Sequence, residues 1–285
     1  MTDIEQEFIR DCWYVAGWSE DFTHTLTPLR ILDEPIVVFR TEAGVPAALE
    51  DACPHRKLPL SKGRLTGETV ECGYHGLTFD CSGACVRAPT QDGPPPAVTV
   101  RSYPVEDRWG ILWIWMGDAD KADPDEIFEI PNYDNPAWGR TQGGSMDIAC
   151  HYLYVVDNLL DPSHVAWVHV SSFAGAGTGN LPLDLEKLDD GIIVSRWVMD
   201  APPPPYYEPI LPFSGNCDRK QHYECRLPST AINMSVYTRA GTGGDNDNLP
   251  DDAFLNISYN FMTPVDADNT RYFWFQHRNS DPDNQ

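Results

Sequence analysis

Cys53 to Gly76 reads CPHRKLPLSKGRLTGETVECGYHG, and the rest of the chain is best understood from it. It contains two tight Cys/His pairs, Cys53-x-His55 and Cys72-x2-His75, with 16 residues between them. Thiolate and imidazole are soft-to-borderline donors suited to zinc or to an iron–sulfur cluster. Gly63, Gly67, Gly73 and Gly76 allow the tight loops that such a site needs. From the residues alone, an iron–sulfur site and a zinc site of two cysteines and two histidines both remain open. The chain has eight cysteines, and Cys53, Cys72, Cys81 and Cys85 crowd into one short region. No apolar signal core precedes them, so metal binding is expected rather than a disulfide framework. Cys81 and Cys85 lack the pattern of the second loop and read as structural. Cys12, Cys150, Cys217 and Cys225 read as buried, inert thiols.

Around this stretch, residues 1–118 read as β. Trp13–Trp18, Pro35–Arg40, Ala47–Leu49, Val70–Cys72, Leu77–Phe79, Ser102–Val105 and Ile111–Met116 are short aromatic or β-branched runs separated by turn residues. A boundary is expected at Gly117–Pro124, leaving 119–285 as a second domain. There, Ile192–Met199, Ala231–Tyr237, Leu255–Met262 and Thr270–Gln276 read as an antiparallel sheet, with one helical segment at about Tyr152–Val168. The fold class is therefore α+β.

The 285 residues are 41% hydrophobic, enough for a sizeable core, and this excludes wholesale disorder. The net charge of −23 argues against a nucleic-acid partner. No apolar run is long enough to span a membrane, and the acidic N-terminus is not that of an exported protein, so a cytoplasmic location is expected. Residues 1–118 hold 10 basic and 18 acidic side chains, the remainder 10 and 25. Against that background Arg56, Lys57, Lys62 and Arg64 form a basic reversal beside His55, suited to docking an acidic electron donor.

The second chemical constellation lies in VVDNLLDPSHVAWVHV. Asn158, Asp161 and His164 recur every third residue, which on one helix places them on one face. His164 and His169 are about 140° apart on an ideal helix, so they converge only if the helix widens or ends between them. Two histidines near a carboxylate point to a metal.

CPH…CGYHG resembles the Rieske [2Fe–2S] motif, and the Asn158–His169 segment is similar to the mononuclear iron site of Rieske non-haem iron oxygenases. WYVAGW, CSGACVRAP and YPVEDRWGILWIWMGD extend the likeness over essentially the whole chain, toward the branch of vanillate O-demethylase, dicamba O-demethylase and toluenesulfonate methyl-monooxygenase. The resemblance implies that Cys53 and Cys72 ligate one cluster iron and that His55 and His75 ligate the other. High-potential Rieske proteins carry a bridging cysteine in each loop and a hydroxyl residue after the second His-Gly. Leu58, Tyr74 and Leu77 stand at those positions, which implies a lower potential.

The resemblance further implies that His164 and His169 hold Fe(II), and that Asp161 bridges His164 to His75 of a neighbouring chain in a trimer. Asn158 then lies near the iron, and Asn233 and Asn260 fall at substrate-contacting places. In the family the third iron ligand is an Asp on a late helix. Asp281 and Asp283 sit in a polar tail that matches the loop before it, so the third carboxylate is expected to lie outside this chain, a C-terminally truncated form of the pattern.

The implied architecture is a small β Rieske domain followed by a catalytic domain whose antiparallel sheet is flanked by helices, a helix-grip arrangement. The implied activity is that of a terminal oxygenase using O2 and external electrons to monooxygenate an aromatic compound. O-demethylation or methyl hydroxylation of an aromatic acid stands first, with N-dealkylation or ring dihydroxylation by the same site as alternatives. No G-x-G-x-x-G fingerprint occurs, so NAD(P)H would act only through a separate ferredoxin or flavin reductase. A pure electron-transfer Rieske protein would need only the first 118 residues, and a zinc protein would be colourless.

Overall fold

The computed structural model describes all residues except 1–7, 94, 96, 170, 174–180, 246–247 and 283–285. Two compact units emerge. The first runs to Glu129, beyond the expected end at 118, and takes in Ile148–His151 and Thr263–Arg271. The second holds Ile130–Asp147, Tyr152–Met262 and the residues from Tyr272 onward.

The first unit is built from three small sheets. Ile111–Trp115 is buried along its whole length and pairs with Trp13–Trp18 on one side and Val105–Arg108 on the other. A four-stranded sheet runs Thr27–Ile31, Glu34–Arg40, Pro46–Glu50, Ser102–Tyr103. Another runs Arg64–Thr66, Thr69–Glu71, Thr78–Phe79, Cys85–Arg87. Val37, Leu49, Leu60, Val70 and Phe79 share one apolar cluster with Cys53 and Cys72. Removing that apolar surface from water stabilises the unit and fixes both cysteines within it.

In the second unit an eight-stranded sheet runs in the order Gly139–Arg140, Thr270–Arg278, Phe254–Pro264, Thr230–Arg239, Cys217–Arg226, Gly191–Ala201, Asp184–Leu188, and Gly144–Ile148 also pairs with Thr270–Arg278. Cys217–Arg226 was not among the expected strands. Its hydropathy is polar because it buries Asp218, Arg219, Gln221 and His222. Helix α1, Tyr152–Leu160, packs against Thr230–Arg239 and Cys217–Arg226.

The single helix expected over Tyr152–Val168 is two. After α1 comes a break, then the four-residue α2, Val165–Val168. Pro162 has no backbone N–H to donate, and its ring disfavours helical geometry at Asp161. Asn158, Asp161 and His164 therefore do not share one helix face, as their spacing suggested. The four cysteines expected to be buried also divide: Cys217 is buried, whereas Cys12, Cys150 and Cys225 are only partly so. Burial raises the pKa of all four thiols, Cys225 to about 11.

The buried Asp218 carboxylate accepts backbone N–H groups from Asp200 at 2.8 Å, Gly241 at 2.7 Å and Gly243 at 2.9 Å. Burial opposes its ionisation, but these donors prevail and hold the carboxyl below its usual range. Asp218→Ala should cost about 3 kcal/mol at neutral pH, because three donors lose a charged acceptor. A depressed folded-state pKa stabilises only where the unfolded carboxyl is ionised, so the penalty should shrink as pH falls below about 3.9. Urea melts of both proteins at pH 7 and pH 3 check the size and the sign.

Candidate metal centres and substrate cavity

The two loops carrying the Cys/His pairs are hydrogen-bonded alike. Cys53 N–H donates to the Leu58 carbonyl at 2.9 Å, and Lys57 N–H returns to Cys53 at 2.8 Å. Cys72 N–H donates to Leu77 at 2.8 Å, and Gly76 N–H returns to Cys72 at 3.0 Å. The residue four places after each cysteine, Lys57 or Gly76, has positive φ, 57° and 70°. Gly76 meets that demand without strain; Lys57 does so at some cost.

Cys53 and Cys72 are each 2% exposed, and their side chains contact one another. Burial pushes the Cys53 thiol up, and the backbone N–H groups of His55 and Arg56 pull it back. His55 and His75 lie on the exposed side, ring centroids 4.5 Å apart. Two adjacent inner sulfurs, two outer imidazoles and N–H groups aimed at a sulfur suit a [2Fe–2S] cluster with one iron on the cysteines and the other on the histidines. A recess of about 310 Å³ beside the imidazoles is lined by Pro54, Leu77, Ala88 and Val98.

The basic residues near His55 are all exposed or partly so. Lys57 faces Glu50 and Arg64 faces Glu71, each at 3.5 Å, while Arg56 and Lys62 form no ion pair among the described residues.

The break between α1 and α2 forms the second centre. Asp161 accepts the Ser163 backbone N–H at 2.7 Å, and its other oxygen lies 3.4 Å from His164 Nδ1. The Ser163 hydroxyl and N–H, with His164 as a lesser influence, hold the Asp161 carboxyl below its usual range. His164 precedes α2 and His169 follows it, where the backbone leaves helical geometry. The helix end brings the two rings to 5.5 Å between centroids. Burial, then the charge of His164, holds His169 below the usual imidazole range, favouring the neutral ring that coordinates metals. From the sheet, Arg196 gives Nη2 to the Pro162 carbonyl at 3.3 Å and Nε to Gln221 at 2.7 Å, which ties the break to the strand below. Two imidazoles on one side of a pocket suit a non-haem iron site. Among the described residues no third His, Cys, Asp or Glu completes a metal-binding group with them. Asp281 does not join them, and Asp283 lies outside the described residues.

Both imidazoles line a cavity of about 320 Å³, within the range of small-molecule sites. Asn158, Asn233 and Asn260 line it too, as does Tyr206, from the proline-rich loop. Asn233 donates to the Leu159 carbonyl at 2.9 Å, holding the end of α1, and accepts from Asn260 at 3.2 Å. Tyr272 donates to Asn260 Oδ1 at 2.6 Å. Burial raises the phenols of Tyr223 and Tyr272 to about 12, so both remain neutral donors. Sequence reasoning missed Gln221, Ser235, Asn256 and Tyr272. The period-two polar run Asn256, Ser258, Asn260 within an apolar strand was the available signal.

Residues 12–104 match the model of the Rieske [2Fe–2S] domain, and residues 148–285 that of the vanillate O-demethylase oxygenase C-terminal domain. The chain is 35% identical over 283 residues to the iron–sulfur subunit of the toluene-4-sulfonate monooxygenase system of Comamonas testosteroni, covering 98% of this chain and 81% of that one. The chain belongs to the Rieske non-haem iron oxygenases. The crystal structure of dicamba monooxygenase bound to 3,6-dichlorosalicylic acid shares the fold with a TM-score of 0.87 and 31% identity, covering 97% of this chain and 80% of that one. Another structure of that enzyme, with non-haem iron and dicamba, gives 0.79 and 29%, covering 95% and 77%.

This Rieske oxygenase is thus an oxidoreductase, the terminal component of an aromatic monooxygenase. It uses a [2Fe–2S] cluster, non-haem iron, O2 and electrons from a separate reductase. No helix among the described residues is long and apolar enough to cross a membrane.

A Cβ at Gly63 would lie 2.1 Å from the Glu71 carbonyl oxygen, beside the cluster loops. Gly63→Ala should therefore force the strand before Cys72 away and lower the visible absorbance per protein by more than half. Iron and sulfide assays on the purified variant check this.

Proposed function

We propose that the substrate is a small aromatic acid bearing a methyl or methoxy group, and that the reaction is O-demethylation or methyl hydroxylation. The observation that carries this reading is the cavity itself, which has His164 and His169 on one side and a polar sheet wall containing Asn233 and Asn260. Its volume of about 320 Å³ suits one substituted ring. The relatives named above act on toluene-4-sulfonate and dicamba, both aromatic anions.

Cys53, Cys72, His55 and His75 would hold the cluster, and His164 and His169 two positions on the iron. Held there, the cluster would supply single electrons and the iron would provide the O2 chemistry for insertion into a C–H bond. The ionised Asp161 orients His164 through Nδ1 and leaves Nε2 for the metal. Its carboxylate, 43% exposed, then remains available to His75 of a neighbouring chain in a homotrimer. Asn158, at the cavity edge, and the two wall asparagines orient the ring. One oxygen atom enters the methyl group, and the other leaves as water with two electrons and two protons. An O-methyl product, now a hemiacetal, separates into phenol and formaldehyde. A ferredoxin or flavin reductase docks beside His55, where Arg56 and Lys62 have no acidic partner among the described residues. The six cysteines outside the cluster, none of them in a disulfide, suit a reducing cytoplasm.

Reconstitution with a reductase, NADH and a panel of methoxybenzoates and methylbenzenesulfonates tests the substrate class. Formaldehyde or hydroxymethyl products are expected from the acids, and turnover confined to neutral aromatics would contradict it. Asp161→Asn should keep the iron and sulfide content of both centres while turnover falls at least about tenfold. Near-normal turnover would remove the bridging role. Reversing the charge of Arg56 and Lys57 should slow reduction by the donor about tenfold at low salt and flatten its salt dependence, measured by stopped flow.

A further inference from the structure

Arg219 is 1% exposed, and none of its three guanidinium nitrogens has a hydrogen-bond partner among the described residues. No carboxylate among the described residues pairs with it. Arginine does not shed its proton, so the side chain carries a full buried charge. A buried, unpaired charge is among the most destabilising features a fold can keep.

Its position accounts for it. On the strand Cys217–Arg226, alternation puts Arg219, Gln221 and Tyr223 on one face, and the last two line the substrate cavity. Across the sheet, Gln221 pairs with Ser235 and Ser235 with Asn256, all three in the cavity wall. The adjacent row on the same face is Arg219, Tyr237 and Phe254. Tyr207 joins the two rows. It lines the cavity, accepts from Asn256 at 3.2 Å and lies tilted against Tyr237, ring centroids 4.6 Å apart. The charge of Arg219 reaches the phenols of Tyr207 and Tyr223, and it also opposes the charge of Arg196 beyond Gln221. Arg219 therefore lies one row behind that end of the cavity, a buried cation whose donors are unpaired among the described residues.

We propose that Arg219 is the anchor for the anionic substituent of the aromatic substrate, taking a carboxylate or sulfonate through its planar fork. This rests on the aromatic-acid reading of the cavity and adds the residue that enforces it. The guanidinium fork matches two oxygens of either anion, and the pairing relieves the charge that the empty cavity leaves uncompensated. Tyr207 is the side chain that must turn for the anion to reach it. A methyl or methoxy group across the ring from the anion is then directed away from this row.

The test is isothermal titration of the full-length protein with 4-methoxybenzoate, toluene-4-sulfonate and the neutral 4-methoxybenzamide. Arg219→Met should bind each anion about thirtyfold or more weakly and the amide unchanged, and Arg219→Lys should fall between. The ligand-free Met variant should melt no lower than the wild type, since a buried unpaired charge has been replaced by an apolar side chain. The stronger of the two anions identifies the substituent. Unchanged anion binding by Arg219→Met overturns the proposal. So does a lower melting temperature with all three ligands weakened alike, because Arg219 would then be a packing residue. If the wild type binds none of the three, the aromatic-acid reading fails and the anchor with it. Arg219-dependent binding without turnover would leave the anchor standing and overturn only the assigned reaction.

Discussion

An α-helix cannot run unbroken through Pro162, and the chemistry of the second unit depends on that stop. With α1 ended at Leu160, Asp161 turns its carboxylate to Ser163 and His164 instead of to solvent along a helix face. The short α2 then separates His164 from His169 by one turn and ends, so that the rings meet at 5.5 Å. A continuous helix would have splayed them. The sheet holds this geometry from below: Arg196 grips the Pro162 carbonyl, and Asn233 grips that of Leu159. Both carbonyls lie at the helix break, where backbone acceptors lack helical partners.

The first unit solves a different problem. Two loops with one hydrogen-bond pattern present two sulfurs inward and two imidazoles outward. Burying the thiolate side in an apolar cluster restricts water there, while the exposed imidazoles give electrons a route out. The hydroxyl that high-potential Rieske proteins carry beyond the second loop is absent, since Leu77 is an apolar residue there and lines the adjoining recess. A centre with few hydrogen bonds to sulfur is a better electron donor, which suits a protein whose task is to reduce O2.

Much of this was legible in the sequence. The cluster loops were plain because ligand chemistry fixes residue type and spacing together. Ile111–Trp115 was plain because a fully buried strand is continuously apolar. The α1–α2 break was half legible: the five-residue gap between histidines required an irregularity, and Pro162 supplied it, but periodicity alone still favoured one helix. Cys217–Arg226 was hidden because both of its faces bury polar side chains, Arg219 and Gln221 on one, Asp218 and His222 on the other. Hydropathy cannot distinguish a polar strand walling a cavity from a surface loop. The wall residues Ser235 and Asn256 were obscured for the same reason, since only the sheet register brings them beside Gln221.

The central claim is that electrons stored at Cys53, His55, Cys72 and His75 drive oxygen insertion at the cavity of His164 and His169. The most direct measurement is a single turnover without reductase. Chemically reduced protein, freed of reductant, is mixed with O2 and a methoxybenzoate while the EPR signal of the reduced cluster and the product are followed together. The account predicts rapid loss of the signal only when the aromatic acid is present, with product formed in proportion to cluster oxidised. Cluster oxidation at the same rate with and without the aromatic acid, and no product, would contradict it.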